Sequence, residues 1–476
     1  MRFSAMSLQF SDVFNFKLSS GVHDRLKLLF LSIVFFLVIG GYTIIRTMKD
    51  SLFVSIVGKE YVGWAKMWSI IILIPAILLF SKLVDIMRRY HLLYVYGLLY
   101  GIGGLVIAYY IAHPIIGLTN TVASKGRVFG WLIYFFLEGM NPFLVSLVWS
   151  FSHSITSPDE AKVNYPLMVA ASKLGGMLTA GLACLFLARA MPVGKELVTD
   201  IFNHQVILAI SSLFIIAIPI ILYIFVRKVP GRFLHGYEAA YQAEKKAKTE
   251  QPPHRTIRAY MKDMFSGLIL LVRYPYSLGI FGVMFFWEIV NVFLNLERIG
   301  VAQKTAMNMS GQTYFMLYQD FWVHAVGIVI TLMGTRTFLR LLGERKSLIM
   351  VPFVIGFLLI CYLSLQSAAM LSFVFILTRS INYAFASPLR ESLYIPTTKE
   401  IKFKSKSWIE AFGVKVAKGV GGTYVTLMAG LSETMIFATG ITFFSIIIGL
   451  WAITAQLLGR RFEKAIARGE VIGLEK

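Results

Sequence analysis

Uninterrupted apolar runs recur along this whole chain, and they constrain its fold more than anything else in the sequence. LLFLSIVFFLVIGGYTII, which begins at Leu28, is one of them. A run of roughly 18 to 25 such residues, rising about 1.5 Å per residue as a helix, crosses a hydrocarbon core about 30 Å thick. Inside a bilayer every backbone N–H and C=O has to be satisfied within the protein, which leaves helices or closed barrels. The runs lack the two-residue alternation of barrel strands, so helices remain. The scarcity of charge agrees. Only 15% of residues are charged, 57% are hydrophobic and the mean hydropathy is +0.70, against about 25% charged residues in a typical soluble chain. The expected fold is an all-α polytopic membrane protein of about twelve transmembrane helices.

The expected spans are roughly 28–46, 64–84, 91–112, 129–152, 167–188 and 205–226, then roughly 276–296, 313–333, 347–366, 369–387, 408–431 and 435–457. The segment before Arg25 has neither an apolar core nor a small-residue cleavage site, so no cleavable signal is expected. Cys184 and Cys361 lie inside apolar runs, without a CxxC or a nearby histidine, and read as small buried hydrophobes. No metal and no cofactor are expected.

Lysine and arginine outnumber aspartate and glutamate 46 to 25, for a net charge of +21. Their distribution argues for membrane sidedness rather than nucleic acid binding. Counted from a cytoplasmic N-terminus, the even connections carry Arg88 and Arg89, Lys162, a long basic stretch, Arg336, Arg340, Arg345 and Lys346, and then Arg390, Lys399, Lys402, Lys404 and Lys406. The tail adds Arg460, Arg461, Lys464 and Arg468. The positive-inside rule then places both termini in the cytoplasm of a multi-pass protein of the cell inner membrane, expected to act as a monomer.

The central basic stretch divides the chain into an N-terminal six-helix half (1–227), a cytoplasmic linker (228–274) and a C-terminal six-helix half with its tail (275–476). The halves echo each other. Glu160 and Lys162 lead into SKLGG, and about half the chain later Glu400 and Lys402 lead into AKGVGG, which implies a parallel repeat. A second echo places Asp85 beside Arg88 and Arg89, and Glu344 beside Arg345 and Lys346. Such short acidic-plus-basic loops resemble the gating loop of major-facilitator carriers, although plain anchoring accounts for either loop equally well.

Charges inside the spans carry the functional argument, because each costs about 2.5 to 3.5 kcal/mol near a helix centre and asks for a partner or a purpose. Arg46, Lys49 and Asp50 close the first span; Glu138 lies in the fourth, Lys173 in the fifth, Glu288 in the seventh, Arg379 in the tenth, and Lys415 and Lys418 in the eleventh. They belong around a wet cavity between the halves, and several cations around one cavity suit a polyanion such as a phosphorylated compound. Glu138 and Glu288 would neutralise those cations when the site is empty, or couple to a proton. Lys173 reads either as a ligand contact or as a group snorkelling to the interface. Trp287 and Tyr383 offer faces for a base, while His153 and His324 read as interfacial histidines near span ends. No Walker lysine loop, dinucleotide fingerprint or nucleophile–base set appears, so an enzyme is not expected.

Three segments carry a family resemblance: YTIIRTMKDSLFV, ITSPDEAKVNYPLM, and TRSINYAFASPLRESLYIPTTKEIKFKSKSWIEAFGVKVAKGVGG. In them the chain resembles the bacterial and plastid ATP/ADP antiporters, also called the nucleotide transporter family. The resemblance implies a major-facilitator-like 6+6 carrier that exchanges ATP for ADP or moves other nucleotides. It matches the family's first-helix lysine to Lys49 and its fourth- and seventh-helix glutamates to Glu138 and Glu288. Its later motif falls on Pro388, Arg390, Glu391, Tyr394 and Pro396, followed by Lys402, Lys404 and Lys406. The chain departs from the family at Asn382, where many members carry lysine, and in the seventh helix, which reads WEIVNVFLNLERIG.

The leading expectation is a nucleotide carrier working by alternating access, with Arg46, Lys49, Arg379, Arg390 and Lys418 meeting phosphates. Glu138, Asn141, Glu288, Asn382 and Lys415 complete the substrate-facing set. Asp85, Arg88, Arg89, Glu344, Arg345, Lys402, Lys404 and Lys406 have gating or structural roles. Two further readings fit the same residues: a proton-coupled transporter of another organic or phosphorylated anion, and a membrane scaffold or sensor that transports nothing.

Overall fold

The computed structural model describes residues 22–156, 158–188, 197–229, 267–306, 308–333, 335–398, 401, 405–428 and 431–473. Among these, twelve helical rods follow one another. The first six are α1 (Val22–Ile56), α2 (Val62–Ile86), α3 (Arg89–Tyr110), α4 (Val128–Ser152), α5 (Pro158–Ala188) and α6 (Leu197–Lys228). The second six are α7 (Pro275–Thr305), α8 (Met309–Met333), α9 (Thr335–Leu365), α10 (Ala368–Ser392), α11, whose main run is Val414–Met428, and α12 (Glu433–Arg468).

Local sequence sets the rod ends. Pro275 opens α7 and Pro158 opens α5, at positions where the missing N–H has no helical partner to lose. The Ser367 and Ser432 hydroxyl oxygens accept from the N–H of Met370 (3.1 Å) and Met435 (3.4 Å), capping α10 and α12. Gly469 ends α12 in the left-handed region at φ 60°. Gly343, at φ 72°, bends α9 into two pieces.

Ten of the rods are long and apolar enough to cross a membrane. The other two, α8 and α11, carry Gln319, Asp320 and His324, and Lys415 and Lys418. They pack against the other helix set, α8 along α5 and α11 along α2, where neighbouring helices rather than lipid receive these groups. Lipid is left to a belt of exposed large apolar side chains, among them Leu79, Leu98, Leu182, Leu185, Phe353 and Phe357.

Two apolar cores form. One is built on α1 to α6 around Phe35, Phe53, Leu144, Phe151 and Phe225 and takes in Leu296 and Ile299 of α7 and Met316 and Leu317 of α8; the other is built on α7 to α12 around Trp287, Phe375, Ile355 and Trp451. The two helix sets meet chiefly where α5 lies along α8 and α2 along α11. Of the expected linker 228–274, residues 230–266 lie outside the described residues.

The internal repeat has a structural counterpart. In α4 a single π-helical turn runs Asn141–Val145, and in α10 another runs Asn382–Ala386. Each starts on an asparagine three positions after a charged residue, Glu138 in one half and Arg379 in the other. A π turn offsets the residues that follow it and often marks a functional position. Glu138 and Arg379 are therefore equivalent places in the repeat, with opposite charge.

Rod length corrects the first expected span. Arg46, Lys49 and Asp50 do not close α1; the helix continues through them to Ile56. The polar groups are paired inside the protein, so nothing forces the helix to stop there.

Candidate functional site

Glu138 is the focus of one charged cluster. Its carboxylate faces Lys49 Nζ of α1 at 2.7 Å, Lys415 Nζ of α11 at 2.8 Å and Lys418 Nζ of α11 at 3.3 Å. An acid of the first helix set thus holds two cations of the second. Lys49 also lies 3.3 Å from Asp50 Oδ1 and 4.5 Å from the centre of the Tyr134 ring. Asp50 in turn accepts from the Asn295 amide at 3.2 Å. Lys66 of α2 is buried and within electrostatic reach of Asp50.

A second cluster reverses the arrangement. Asp320 of α8, fully buried, binds Arg46 (2.8 Å) and the Thr47 hydroxyl (2.6 Å) of α1. Its other neighbour is Arg298 of α7 at 3.0 Å, which also donates to the Met316 carbonyl. Here an acid of the second set holds a cation of the first. The two clusters are reciprocal ties across the same interface.

A third chain stays within the second set. Arg379 Nε donates to Asn291 Oδ1 (3.1 Å), and the Asn291 amide donates to Glu288 (3.0 Å). Arg390 donates to Asn382 Oδ1 at 2.8 Å, so the departure from lysine at Asn382 leaves an acceptor that orients a neighbouring arginine. Asn141 is exposed, one turn beyond Glu138.

Among the described residues, eight bases (Arg46, Lys49, Lys66, Lys173, Arg298, Arg379, Lys415, Lys418) therefore outnumber four acids (Asp50, Glu138, Glu288, Asp320) in and beside these clusters, while Arg390 lies within reach of Glu391 and Glu410 as well as Glu288. That surplus of positive charge in a poorly solvated space is the electrostatic requirement for holding a polyanion.

Several expectations change with the geometry. Trp287 is 2% exposed within the second core and offers no face to a solute, whereas Tyr383 is 39% exposed. Lys173 does not snorkel: it sits mid-helix, 6% exposed, with its ammonium 5.7 Å from the Tyr383 ring centre. His324 is not interfacial; it sits mid-helix on α8, with its Nε2 3.1 Å from the Thr43 hydroxyl of α1.

The gating set separates. Arg345 reaches Glu463 (3.3 Å) and Gln456 (3.4 Å) of α12 rather than its neighbour Glu344, which is exposed. Lys406 bridges Glu391 (2.7 Å) and Glu410 (3.7 Å), joining the end of α10 to the start of α11. Arg88 is the residue before α3. The side chains of Asp85, Arg89 and His153, and residues Lys402 and Lys404, lie outside the described residues.

Asp320, Arg298, Lys66 and Asn295 had not been singled out. Asp320 and Lys66 fall within expected spans, so the rule that a charge in a span needs a partner would have found both. Arg298 and the end of α7 extend past the expected boundary.

The remaining ties between the sets lie toward the face opposite the described termini. Asp200, at the start of α6, accepts from the backbone N–H of Met309 (3.0 Å) and Ser310 (2.7 Å), capping α8 from the other half. His204 Nε2 lies 2.8 Å from the Thr313 hydroxyl, which donates to Ser51 at 3.0 Å. These contacts join the two helix sets at that face.

The model of the TLC ATP/ADP transporter family matches residues 9–462. The chain belongs to this family. Among curated relatives, ADP,ATP carrier protein 3 of Rickettsia typhi is 22% identical over 91% of this chain and 94% of its own. ADP,ATP carrier protein 1 of Rickettsia prowazekii is 20% identical, over 94% and 95%. Among solved structures, a D-xylose-proton symporter superposes with a TM-score of 0.60 at 15% identity, covering 92% of this chain and 97% of that one. A POT peptide transporter gives 0.58 at 12% identity, over 92% and 95%. The likeness to solved structures establishes a major-facilitator-like helical fold, and membership of the family makes the chain a membrane transporter rather than an enzyme.

Proposed function

We propose that this chain exchanges nucleotides, ATP for ADP or another nucleoside triphosphate for its diphosphate, by alternating access across the cell inner membrane, as a monomer with both termini in the cytoplasm. The observation that carries the reading is Glu138, whose carboxylate is gripped by Lys49, Lys415 and Lys418 from both helix sets. In the empty carrier that carboxylate stands where a phosphate group would stand. An incoming phosphate takes over the lysines, and on its departure Glu138 takes them back, so the cations are never left unpaired. The reciprocal Asp320 tie holds the halves in register meanwhile.

Alternating access here means that residues 1–227 and 275–476 rock as two units about the central charges, joined by the linker 228–274. Under the positive-inside assignment the face joined by Asp200 and His204 is the outer one, and the site faces the cytoplasm.

Thermal unfolding of the purified full chain with ATP, ADP, AMP and unrelated organic anions tests the reading. Nucleotides should raise the midpoint by mass action. Glu138→Gln should melt lower when empty, because Lys415 and Lys418 lose their acid and Lys49 keeps only Asp50, and should gain more from ATP than the wild type does. Stabilisation by an unrelated anion alone, with none from nucleotides, would sink the nucleotide reading in favour of a different anion. No response to any anion would favour a scaffold.

A further inference from the structure

Where α5 crosses α8, two glycines make room for two polar side chains. A Cβ on Gly176 would lie 2.4 Å from His324 Nε2, and one on Gly327 would lie 3.1 Å from Lys173 Nζ. Each helix thus gives up a side chain so that the other can place a nitrogen in the interface. Close packing alone asks for small residues; it does not ask for an ammonium group and an imidazole between them.

The ammonium group stands apart from the carboxylate-bound lysines. Lys173 is 6% exposed, and no described carboxylate pairs with it. Its neighbour is the Tyr383 ring of α10, 5.7 Å away. Arg379 lies one helical turn before Tyr383. It is 5% exposed, its Nε is committed to Asn291, and its Nη1 is buried without a partner. His324 lies within electrostatic reach of both Lys173 and Arg379. The Thr43 hydroxyl donates to the Ile39 carbonyl at 2.8 Å, so Thr43 accepts from His324 Nε2. That leaves His324 Nδ1 unpaired, an acceptor in the neutral ring.

A buried, unpaired ammonium, facing a tyrosine that lies one turn from a buried guanidinium with a free N–H, is costly, and folding has no use for it. We propose that Lys173, Arg379 and Tyr383 form a second oxyanion subsite, separate from the Glu138 cluster, which binds a further phosphate of the same solute. His324 Nδ1 would accept the hydroxyl hydrogen of a monoprotonated phosphate. The inference rests on the nucleotide reading above and adds a specificity rule to it. A solute with two or more phosphates fills both clusters, while a monophosphate fills one. The subsite therefore counts phosphates.

Equilibrium binding to the full-length protein in detergent tests this, using wild type, Lys173→Gln, Lys173→Arg and Arg379→Lys with ATP, ADP, AMP and pyrophosphate. Losing one charge-assisted contact should weaken ATP, ADP and pyrophosphate by about tenfold to a hundredfold in Lys173→Gln. AMP should change by less than about threefold, since it spares this cluster. Lys173→Arg should restore most of the loss. Arg379→Lys, which has no second nitrogen to offer, should repeat it. Because the removed charge was unpaired, empty Lys173→Gln should melt no lower than wild type; a lower midpoint would mean the lysine is structural.

The subsite is overturned if Lys173→Gln binds ATP as wild type does, or weakens ATP and AMP equally, while Glu138→Gln still alters nucleotide binding. If wild type binds no nucleotide at all, the nucleotide reading has failed instead. Pyrophosphate separates the phosphate chain from the nucleoside as the source of the effect.

Discussion

Asp320 is among the most tightly held charged residues described. It is fully buried and binds two arginines and a threonine hydroxyl drawn from two other helices, α1 and α7. Its removal leaves Arg46 and Arg298 in a low-dielectric interior without their acid, and breaking a buried pair from one side costs about 3 to 5 kcal/mol. Asp320→Ala should therefore lower the thermal midpoint of the empty protein sharply. Asp320→Asn, which keeps an acceptor for Thr47, should do so less. Equal midpoints for wild type and Asp320→Ala would show that the tie contributes nothing. The sign differs from that at Lys173, where the charge is unpaired. A stability measurement on the empty protein thus separates a cation held for the fold from one held for a solute.

At the scale of the helix, glycine marks where backbones touch. A Cβ at Gly175 of α5 would meet the Phe36 carbonyl oxygen of α1 at 2.2 Å, with backbone rather than a flexible side chain in the way. At Gly449 of α12 nothing lies within 4 Å. Gly175→Ala should separate α1 from α5 and reduce the yield of monodisperse protein. Gly449→Ala should be neutral or stabilising by up to about 1 kcal/mol through helix propensity. Size-exclusion profiles and thermal midpoints of the two variants, side by side, check the contrast.

Much of this was legible beforehand. The apolar runs announce the helices because lipid offers the backbone no partners. Arg46, Lys49, Glu138, Lys415 and Lys418 were found because a charge in a span is expensive. Helix ends were less legible. The expected first span stops at 46 whereas α1 runs to Ile56, since hydropathy registers the cost of Lys49 and Asp50 but not the partners that repay it. Nor does sequence assign partners: that Glu138 belongs to α11 and Asp320 to α1 follows from how the helix sets face each other. The π turns were illegible too, because Asn141 and Asn382 carry no local signal for an i→i+5 bond.

At the scale of the whole molecule, the two helix sets hold each other by exchanged charges. Glu138 of the first set binds lysines of the second, and Asp320 of the second binds an arginine of the first. Toward the face away from the termini, Asp200 caps α8 and His204 reaches Thr313, joining the two sets there. Opening that face requires every one of these contacts to be replaced. An empty carrier has only water to offer buried cations in exchange, whereas a polyanion offers phosphate oxygens. Exchange is then the natural mode, because without a solute Glu138 and Asp320 keep the two sets tied through these lysines and arginines, and only a polyanion can take over the cations as the ties open.

That claim is tested most directly by uptake of labelled ATP into proteoliposomes, some loaded with ADP and some empty. The account predicts rapid uptake into ADP-loaded vesicles, little into empty ones, and loss of the difference in Glu138→Gln. Uptake that ignores internal ADP and follows an imposed proton gradient would contradict it.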